Sequence, residues 1–408
     1  MKNIRLLFGG DTCFDIKVRQ KFYLGAWLKR RPNESISPIV SKPVNKNKTL
    51  NLRHKIIQKL SRIWKAVIHT QKDTFNYPFP PFFELLIPSE ENKNQKSIGK
   101  RDPNIIRLNN NILNYKGRFD LPFKKISEFL DEKDIVSINL ETPLTNHSRS
   151  YGLYLSNPGY AKAMVKAGIT IVNLANNHIF DAGEIGFLDT ISYLEDANIF
   201  ICGAGKDIHS ARKGSMIQNN GIKFVFLGYT QYCDLRYASI AADYPGILPL
   251  DLNLIIKDIE NAKKIGDFVF INLHWGLRNN DSVHSKQIEI AHELINAGAD
   301  GIIGHHSHVV QGIEIYKQKP IIYSLGNFIF GHSNTFWQKD NFLAEIIIKE
   351  KKINKVKIYP ISGLGKKLSQ PELLDGKRAN DFLSKLRQIS NAFRTKIEIH
   401  DNIGYIEL

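Results

Sequence analysis

The sequence predicts an α/β fold whose strands are buried on both faces. From about Asp120 onward, helix-like segments of roughly three turns alternate with short strand-like ones. The strand-like segments are continuous apolar, β-branched runs rather than alternating ones, as expected of strands covered on both sides. A further observation indicates where chemistry sits: five of these runs stop at a carboxylate, carboxamide or imidazole side chain.

Taken in order, IRLLFGG reads as a first strand and ends at Asp11. FKKISEFLDEKD reads as a helix leading to IVSINL, which ends at Glu141. YAKAMVKAG leads to ITIVNLA, which ends at Asn176, Asn177 and His178, and FLDTISYLEDAN leads to IFICGAG. LNLIIKDIENAKKIG precedes DFVFINL, which ends at His274, and KQIEIAHELINAGAD precedes GIIG, which ends at His305, His306 and His308. KPIIYSL, FLAEIIIKE and KVKIYPI then read as strands without intervening helices, followed by a polar helix around GKRANDFLSKLRQISNAF.

Residues 18–118 break this rhythm. No acidic residue occurs between Glu34 and Asp73, while lysine and arginine accumulate over residues 46–72. Ile56, Ile57, Leu60, Ile63, Trp64, Val67 and Ile68 recur at helical spacing, so one helix there would carry an apolar face and a cationic face. Two readings stay open: a surface helix packed on the protein's own core, or peripheral contact with an anionic membrane or a partner. The predicted organisation is a discontinuous main domain, residues 1–17 and 119–362. A basic, partly helical insertion, residues 18–118, interrupts it, and a C-terminal helix and strand extension, residues 363–408, packs on it.

The 408 residues are 42% hydrophobic, enough for a large core, and carry a formal charge of +16, which favours an anionic partner. Cys13, Cys202 and Cys233 are scattered and odd in number, which argues against a disulfide framework, and no Cys-x-x-Cys pair suggests structural zinc. The run at MKNIRLLFGGD is too short for a secretion signal, and no stretch approaches the ~18 apolar residues of a spanning helix. The expected location is the cytoplasm or, on the second of these readings, the inner membrane face contacted through residues 46–72. The basic run has little aromatic interleaving and no reader motif, so no specific nucleic acid is expected.

Ligands of open α/β sheets bind outside the carboxyl ends of the strands, so the five polar ends are expected to converge. Singly, each has an ordinary explanation: a helix cap, a turn, a hydrogen-bonded structural histidine. Jointly they form an oxygen and nitrogen donor set large enough for two divalent cations. A carboxylate can bridge two cations, while neutral imidazole and amide ligands fill coordination positions without cancelling Lewis acidity. Two imidazoles of HHSH can address different ions from one turn, and the third can support them.

These segments resemble the CapA family of capsule (poly-γ-glutamate) synthesis proteins, a branch of the calcineurin-like metallophosphoesterases. The likeness runs in order through GGD (9–11), NLETPLT (139–145), NLANNHIFDAGEIG (173–186), GAG (203–205), LHWG (273–276), GHHSHVVQG (304–312) and IIYSLGNFIF (321–330). It implies a four-layer α-β-β-α sandwich of two mixed sheets with two divalent metal ions, manganese, iron or zinc, at the strand ends. By this resemblance Asp11 and His308 hold the first ion, Glu141 bridges, and Asn177, His274 and His306 hold the second. Asn177 also meets the substrate oxyanion, and His178 protonates the leaving group. Beside what the resemblance implies, His305 is expected to support the ligands from behind, with Asn176, Arg278 and Asn327 on the substrate side.

Two positions depart from the wider pattern. Cys13 stands where metallophosphoesterases carry histidine and is expected to be a buried bystander, thiolate ligation being the alternative. Leu277 and Arg278 follow His-Trp-Gly where an acidic residue is usual, which favours an anionic substrate group. Ser324 lacks a nucleophile context and is assigned to a loop, with Gly326 supplying a tight turn. The implied function is a metal-dependent phosphoesterase, hydrolase or transferase. It would act on a phosphorylated substrate or anionic polymer in capsule or poly-γ-glutamate synthesis, beside other polymer-synthesis proteins. The alternative is a non-catalytic scaffold of a synthesis or export assembly, docked through the basic insertion.

Overall fold

A computed structural model of the chain describes residues 3–14, 117–147, 154–232, 244–330, 339–363 and 370–408. Contacts divide the chain into two units, Met1–Arg19 with Arg101–Leu408, and Gln20–Lys100. The second unit, with the expected cationic helix, lies outside the described residues, as does Cys233.

β1 is Ile4–Cys13. A 3-10 turn, Leu121–Phe123, and α1 (Ser127–Asp131) lead to β2 (Ile135–Leu140), α2 (Gly159–Lys166) to β3 (Ile171–Asn173), and α3 (Gly183–Asp196) to β4 (Phe200–Cys202) and β5 (Ala204–Gly205). Next come α4 (Ile208–Lys213), β6 (Ser215–Asn219), β7 (Ile222–Thr230), β8 (Gly246–Ile247), α5 (Leu252–Lys263), β9 (Phe268–His274), α6 (Ser285–Asn296) and β10 (Gly301–His305). The chain closes with β11 (Ile313–Tyr316), β12 (Lys319–Ile322), β13 (Asn327–Phe330), β14 (Asn341–Lys349), β15 (Lys352–Ile361), α7 (Gly376–Ser390), β16 (Glu398–His400) and β17 (Ile403–Glu407). No described helix is long and apolar enough to cross a membrane.

α5 and α6 each start at a capping side chain. Asp251 accepts from the Leu254 N–H to open α5, and His284 accepts from the Lys286 N–H to open α6. β2, β9 and β10 are buried at every position, as their continuous apolar runs predict.

Among the described residues the strands form two large mixed sheets. One follows the order β16-β17-β15-β14-β1-β2-β3-β4 with β13 added beside β1; the other is β11-β12-β10-β9-β7-β6. Between them, Leu6, Phe8 and Ile346 of the first sheet meet Phe226, Phe270 and Ile303 of the second, with the Phe8 and Phe270 rings 5.5 Å apart. On the outer face of the first sheet, Met164 of α2 and Phe187 and Ile191 of α3 pack with Leu7, Ile138 and Val172. α5 and α6 cover β9 and β10 of the second. Helix, sheet, sheet and helix are the expected four layers. The C-terminal β16 and β17 continue the first sheet beyond β15. The β6–β7 hairpin, absent from the expected segments, turns on Asn220-Gly221, both at positive φ, the arrangement Asn-Gly favours.

Gly9-Gly10 is a change of partner within β1. Ile4 to Phe8 pair antiparallel with β14, whereas Asp11 to Cys13 pair parallel with β13. At the switch the Asp11 N–H donates to the Gly326 carbonyl at 3.0 Å. A Cβ on Gly10 would lie 1.9 Å from that oxygen, so only glycine allows the approach that delivers Asp11 to the strand ends.

A buried ionic cluster sits near the amino ends of β1 and β2. Glu345, fully buried, accepts from Arg5 Nε and, at 2.6 Å, from the Tyr359 hydroxyl. Lys133 Nζ lies 3.8 Å from Glu345 and 4.0 Å above the Phe129 ring, with no hydrogen-bond partner. Burial pulls its pKa down. A buried cation without hydrogen bonds costs more than it returns, so Lys133→Met is expected to stabilise the fold by about 1–2 kcal/mol. Glu345→Gln, which removes the buried charge facing Arg5 and leaves Lys133 only the exposed Glu132 carboxylate at 3.6 Å, is expected to destabilise it by about 3 kcal/mol. Denaturant unfolding reads both, and equal signs would contradict the account.

Candidate metal centre

β1 and β2 of one sheet and β9 and β10 of the other bring their carboxyl ends together, and the loop after β3 closes the same place. Two groups of donor atoms form there, Glu141 with His274 and His306, and Glu141 with Asp11 and His308, each within 4.8 Å internally. Glu141 belongs to both. His274 Nε2 is 3.5 Å and His308 Nε2 3.9 Å from Glu141 Oε1, while His308 Nδ1 is 3.4 Å from Asp11 Oδ2. Asn177 Oδ1 lies 2.8 Å from His274 Nε2, on the side of the first group. Asp11, Glu141, Asn177, His274, His306 and His308, far apart in the chain, are thus brought to one place.

The backbone after β10 is held in an unusual shape to achieve this. His306 and His308 have φ of 90° and 57°, positive values that non-glycine residues seldom adopt. Such backbone persists only where surroundings over-determine it. Here Gly304 packs backbone to backbone on Tyr323, whose carbonyl would lie 1.8 Å from a Cβ at position 304. Trp275 Nε1 donates to the same carbonyl at 3.1 Å.

The electrostatics of these groups ask for a cation. Glu141 is fully buried and neither carboxylate oxygen has a hydrogen-bond partner. Burial, then the neighbouring Asp11, push its carboxyl well above the usual range. Burial also raises Asp11 to about 7, against hydrogen bonds from Asn139 Nδ2 at 2.8 Å and the His306 N–H at 3.1 Å. His274 and His306 are held well below the ordinary imidazole value by burial and then by other imidazoles. Their Nε2 and Nδ1 face each other at 3.0 Å. A partnerless buried carboxylate beside neutral imidazoles that resist protonation is an unpaired site, and divalent cations relieve both defects. The donors therefore fit metal binding.

Other expected residues fall around this centre in supporting positions. His178 Nδ1 is 3.0 Å from Asp181 Oδ2, and its Nε2 is 4.0 Å from Glu141 Oε1. His305 lies behind Asp11, with Nδ1 3.7 Å from Asp11 Oδ1 and Nε2 3.4 Å from Asn272 Oδ1. Asn327 Oδ1 meets His308 Nδ1 at 2.9 Å. Asn176 donates to the Leu140 carbonyl at 2.8 Å and accepts from the His178 N–H at 3.1 Å. Both carboxamides are buried and act on the protein itself. Exposed Arg278 extends its charge to Glu141 and His306. Cys13 is buried at the end of β1 and belongs to neither donor group. Ser324 bonds Ser307 Oγ at 2.8 Å and accepts from the Gly326 N–H, and Gly326 has φ of 73°.

Four contributors were not singled out from the sequence. Asn139 donates to Asp11 and lies 3.3 Å from His274 Nδ1, Asn173 donates to Asn139 at 2.9 Å, and Asn272 backs His305. The signal for these was present: Asn-Leu recurs at three strand ends, 139–140, 173–174 and 272–273, a polar residue repeated inside apolar runs. Asp181 was legible too, three residues after His178.

A family model described as bacterial capsule synthesis protein PGA_cap matches residues 91–332. The PGA biosynthesis protein CapA of Bacillus subtilis (strain 168) is 31% identical over 286 residues, covering 68% of this chain and 74% of that protein. The capsule biosynthesis protein CapA of Bacillus anthracis is 34% identical over 255 residues, 60% of this chain, and the matched region spans 61% of that protein's length. Among solved structures, the calcineurin-like phosphoesterase YfkN from Bacillus subtilis is similar at 11% identity and a TM-score of 0.33, covering 67% of this chain and 90% of that one. The region matched by the family model carries Glu141, Asn177, His178, His274, His306 and His308. The chain belongs to the bacterial capsule synthesis protein PGA_cap family.

Proposed function

We propose that the protein is a metal-dependent hydrolase, or a transferase using the same centre. Its substrate is a phosphoester or an anionic polymer of capsule or poly-γ-glutamate synthesis. Asp11, Glu141 and His308 would hold one divalent ion, manganese, iron or zinc, and Glu141, Asn177, His274 and His306 a second. The observation that carries the reading is Glu141, a fully buried carboxylate with two partnerless oxygens shared by both donor groups. When bound, such a pair of ions supplies Lewis acidity that polarises a substrate oxygen and lowers the pKa of water.

The chain's own residues do the rest. Asn177 presents an amide toward the substrate oxyanion. Asp181 accepts the Nδ1–H of His178 and stabilises its imidazolium, whose Nε2–H, on the Glu141 side, passes to the leaving group and leaves the neutral ring protonated at Nδ1. Arg278, exposed beside the centre, draws an anionic substrate group.

Elemental analysis of the purified protein, combined with assays on an aryl phosphate and on poly-γ-glutamate, tests the proposal. Bound metal is expected, with turnover lost on chelation and restored by added manganese, iron or zinc. Metal-loaded protein inert toward phosphoesters and anionic polymers would contradict it.

A further inference from the structure

Tyr154 lies in none of the motifs, yet it touches both sides of the candidate centre. It is 1% exposed, and its ring centroid lies 4.2 Å from that of His178. Its ring also meets Phe330, edge-on at 5.5 Å, which in turn packs on His308 at 4.9 Å. The Tyr154 N–H donates at 2.8 Å to Asp181 Oδ2, the oxygen that also faces His178 Nδ1. The next turn of chain is tied to the loop after Glu141: the Ser156 N–H donates to the Pro143 carbonyl at 2.9 Å, the Thr145 N–H donates to the Ser156 carbonyl at 3.0 Å, and Ser156 Oγ meets Thr142 Oγ1 at 3.0 Å. Tyr154 therefore joins the Glu141 loop to the His178 loop.

An imidazole held only at Nδ1 can still swing about its side-chain torsions, because its second torsion is broad. A ring packed against it removes that freedom. We propose that Tyr154 is a positioning residue for His178, clamping the imidazole between its own ring and Asp181 so that Nε2 faces Glu141. Its consequence for turnover rests on the function proposed above. Its consequence for the histidine does not.

Tyr154→Phe keeps the ring and Tyr154→Leu keeps apolar bulk without it. Thermal unfolding of the full-length variants checks that both fold. In the Leu variant kcat is expected to fall about 10- to 100-fold with KM and metal content unchanged, the size of effect a small misplacement produces. The Phe variant is expected to stay within about threefold of wild type, since the packing is preserved.

Nitrogen-15 side-chain shifts of His178, identified by their loss in His178→Ala, provide a readout without turnover. In the neutral ring, wild type and Tyr154→Phe are expected to hold the remaining proton at Nδ1, against Asp181, and Tyr154→Leu to average over two tautomers. A Leu variant with wild-type kcat and shifts overturns the proposal. So does a Phe variant as damaged as the Leu one, which would move the role to the hydroxyl. If no protein turns over any substrate, the functional reading fails while the shifts still decide the positioning role.

Discussion

Glu141→Gln is expected to remove both cations together and to lower turnover by at least about a thousandfold, as several kcal/mol of charge stabilisation disappear. A carboxamide is neutral and offers one acceptor oxygen, so it cannot serve His274 and His306 on one side and Asp11 and His308 on the other. Asp11→Asn is expected to weaken only the position shared with His308. Metal stoichiometry of the purified variants separates the two, and a Gln variant with wild-type metal content would show that the carboxylate is not shared. The same geometry sets a pH dependence. Asp11 is raised to about 7, so below that pH its carboxyl holds a proton that a cation must displace, and burial pushes Glu141 in the same direction. Affinity is therefore expected to rise with pH through the region below 7, by about tenfold per unit for each proton released. Calorimetric titration with manganese across this range measures the slope, and a flat profile would mean that the carboxyls are already ionised without metal.

His178→Ala is expected to lower kcat by about 10²–10⁴-fold on alkyl phosphoesters while metal content stays at the wild-type level, because His178 is outside both donor groups. Its Nε2 sits 4.0 Å from Glu141 with Nδ1 3.0 Å from Asp181, the orientation that the proposed proton transfer requires. The loss is expected to shrink on a nitrophenyl phosphate, whose leaving group departs without needing a proton. Equal losses on both substrates would move His178 from proton transfer to charge stabilisation. Simultaneous loss of metal would make it a structural support.

Much of the candidate site was legible because burial and chemistry conflict there. A run such as IVSINL followed by Glu141, or GIIG followed by three histidines, places charged or titratable groups where only apolar side chains are favoured by transfer free energy. That local contradiction marks a residue as purposeful without any knowledge of its neighbours. The helix-strand rhythm is legible for a similar reason, since side-chain periodicity follows local backbone geometry.

Other features have no local signature. Gly9-Gly10 reads as the end of a first strand, but its meaning is the switch of β1 from β14 to β13, which depends on a loop more than three hundred residues away in sequence. Tyr154 reads as an ordinary core aromatic until Asp181 and His178 are seen around it. The β16 and β17 strands are short and partly exposed, so their membership of the first sheet comes from pairing with β15 rather than from their own pattern.

The sequence by itself determined the α/β class, the strands that are buried, and the polar side chains that stand at the strand ends, because each of these is written in composition and spacing along the chain. Only the tertiary structure decided that Glu141 stands between two groups of potential donor atoms, that His306 and His308 take strained backbone to face it, and that three asparagines brace the set. Those are relations between segments, set by which strands become neighbours and how closely their backbones approach. Non-local packing decides that, and no window of the sequence contains it.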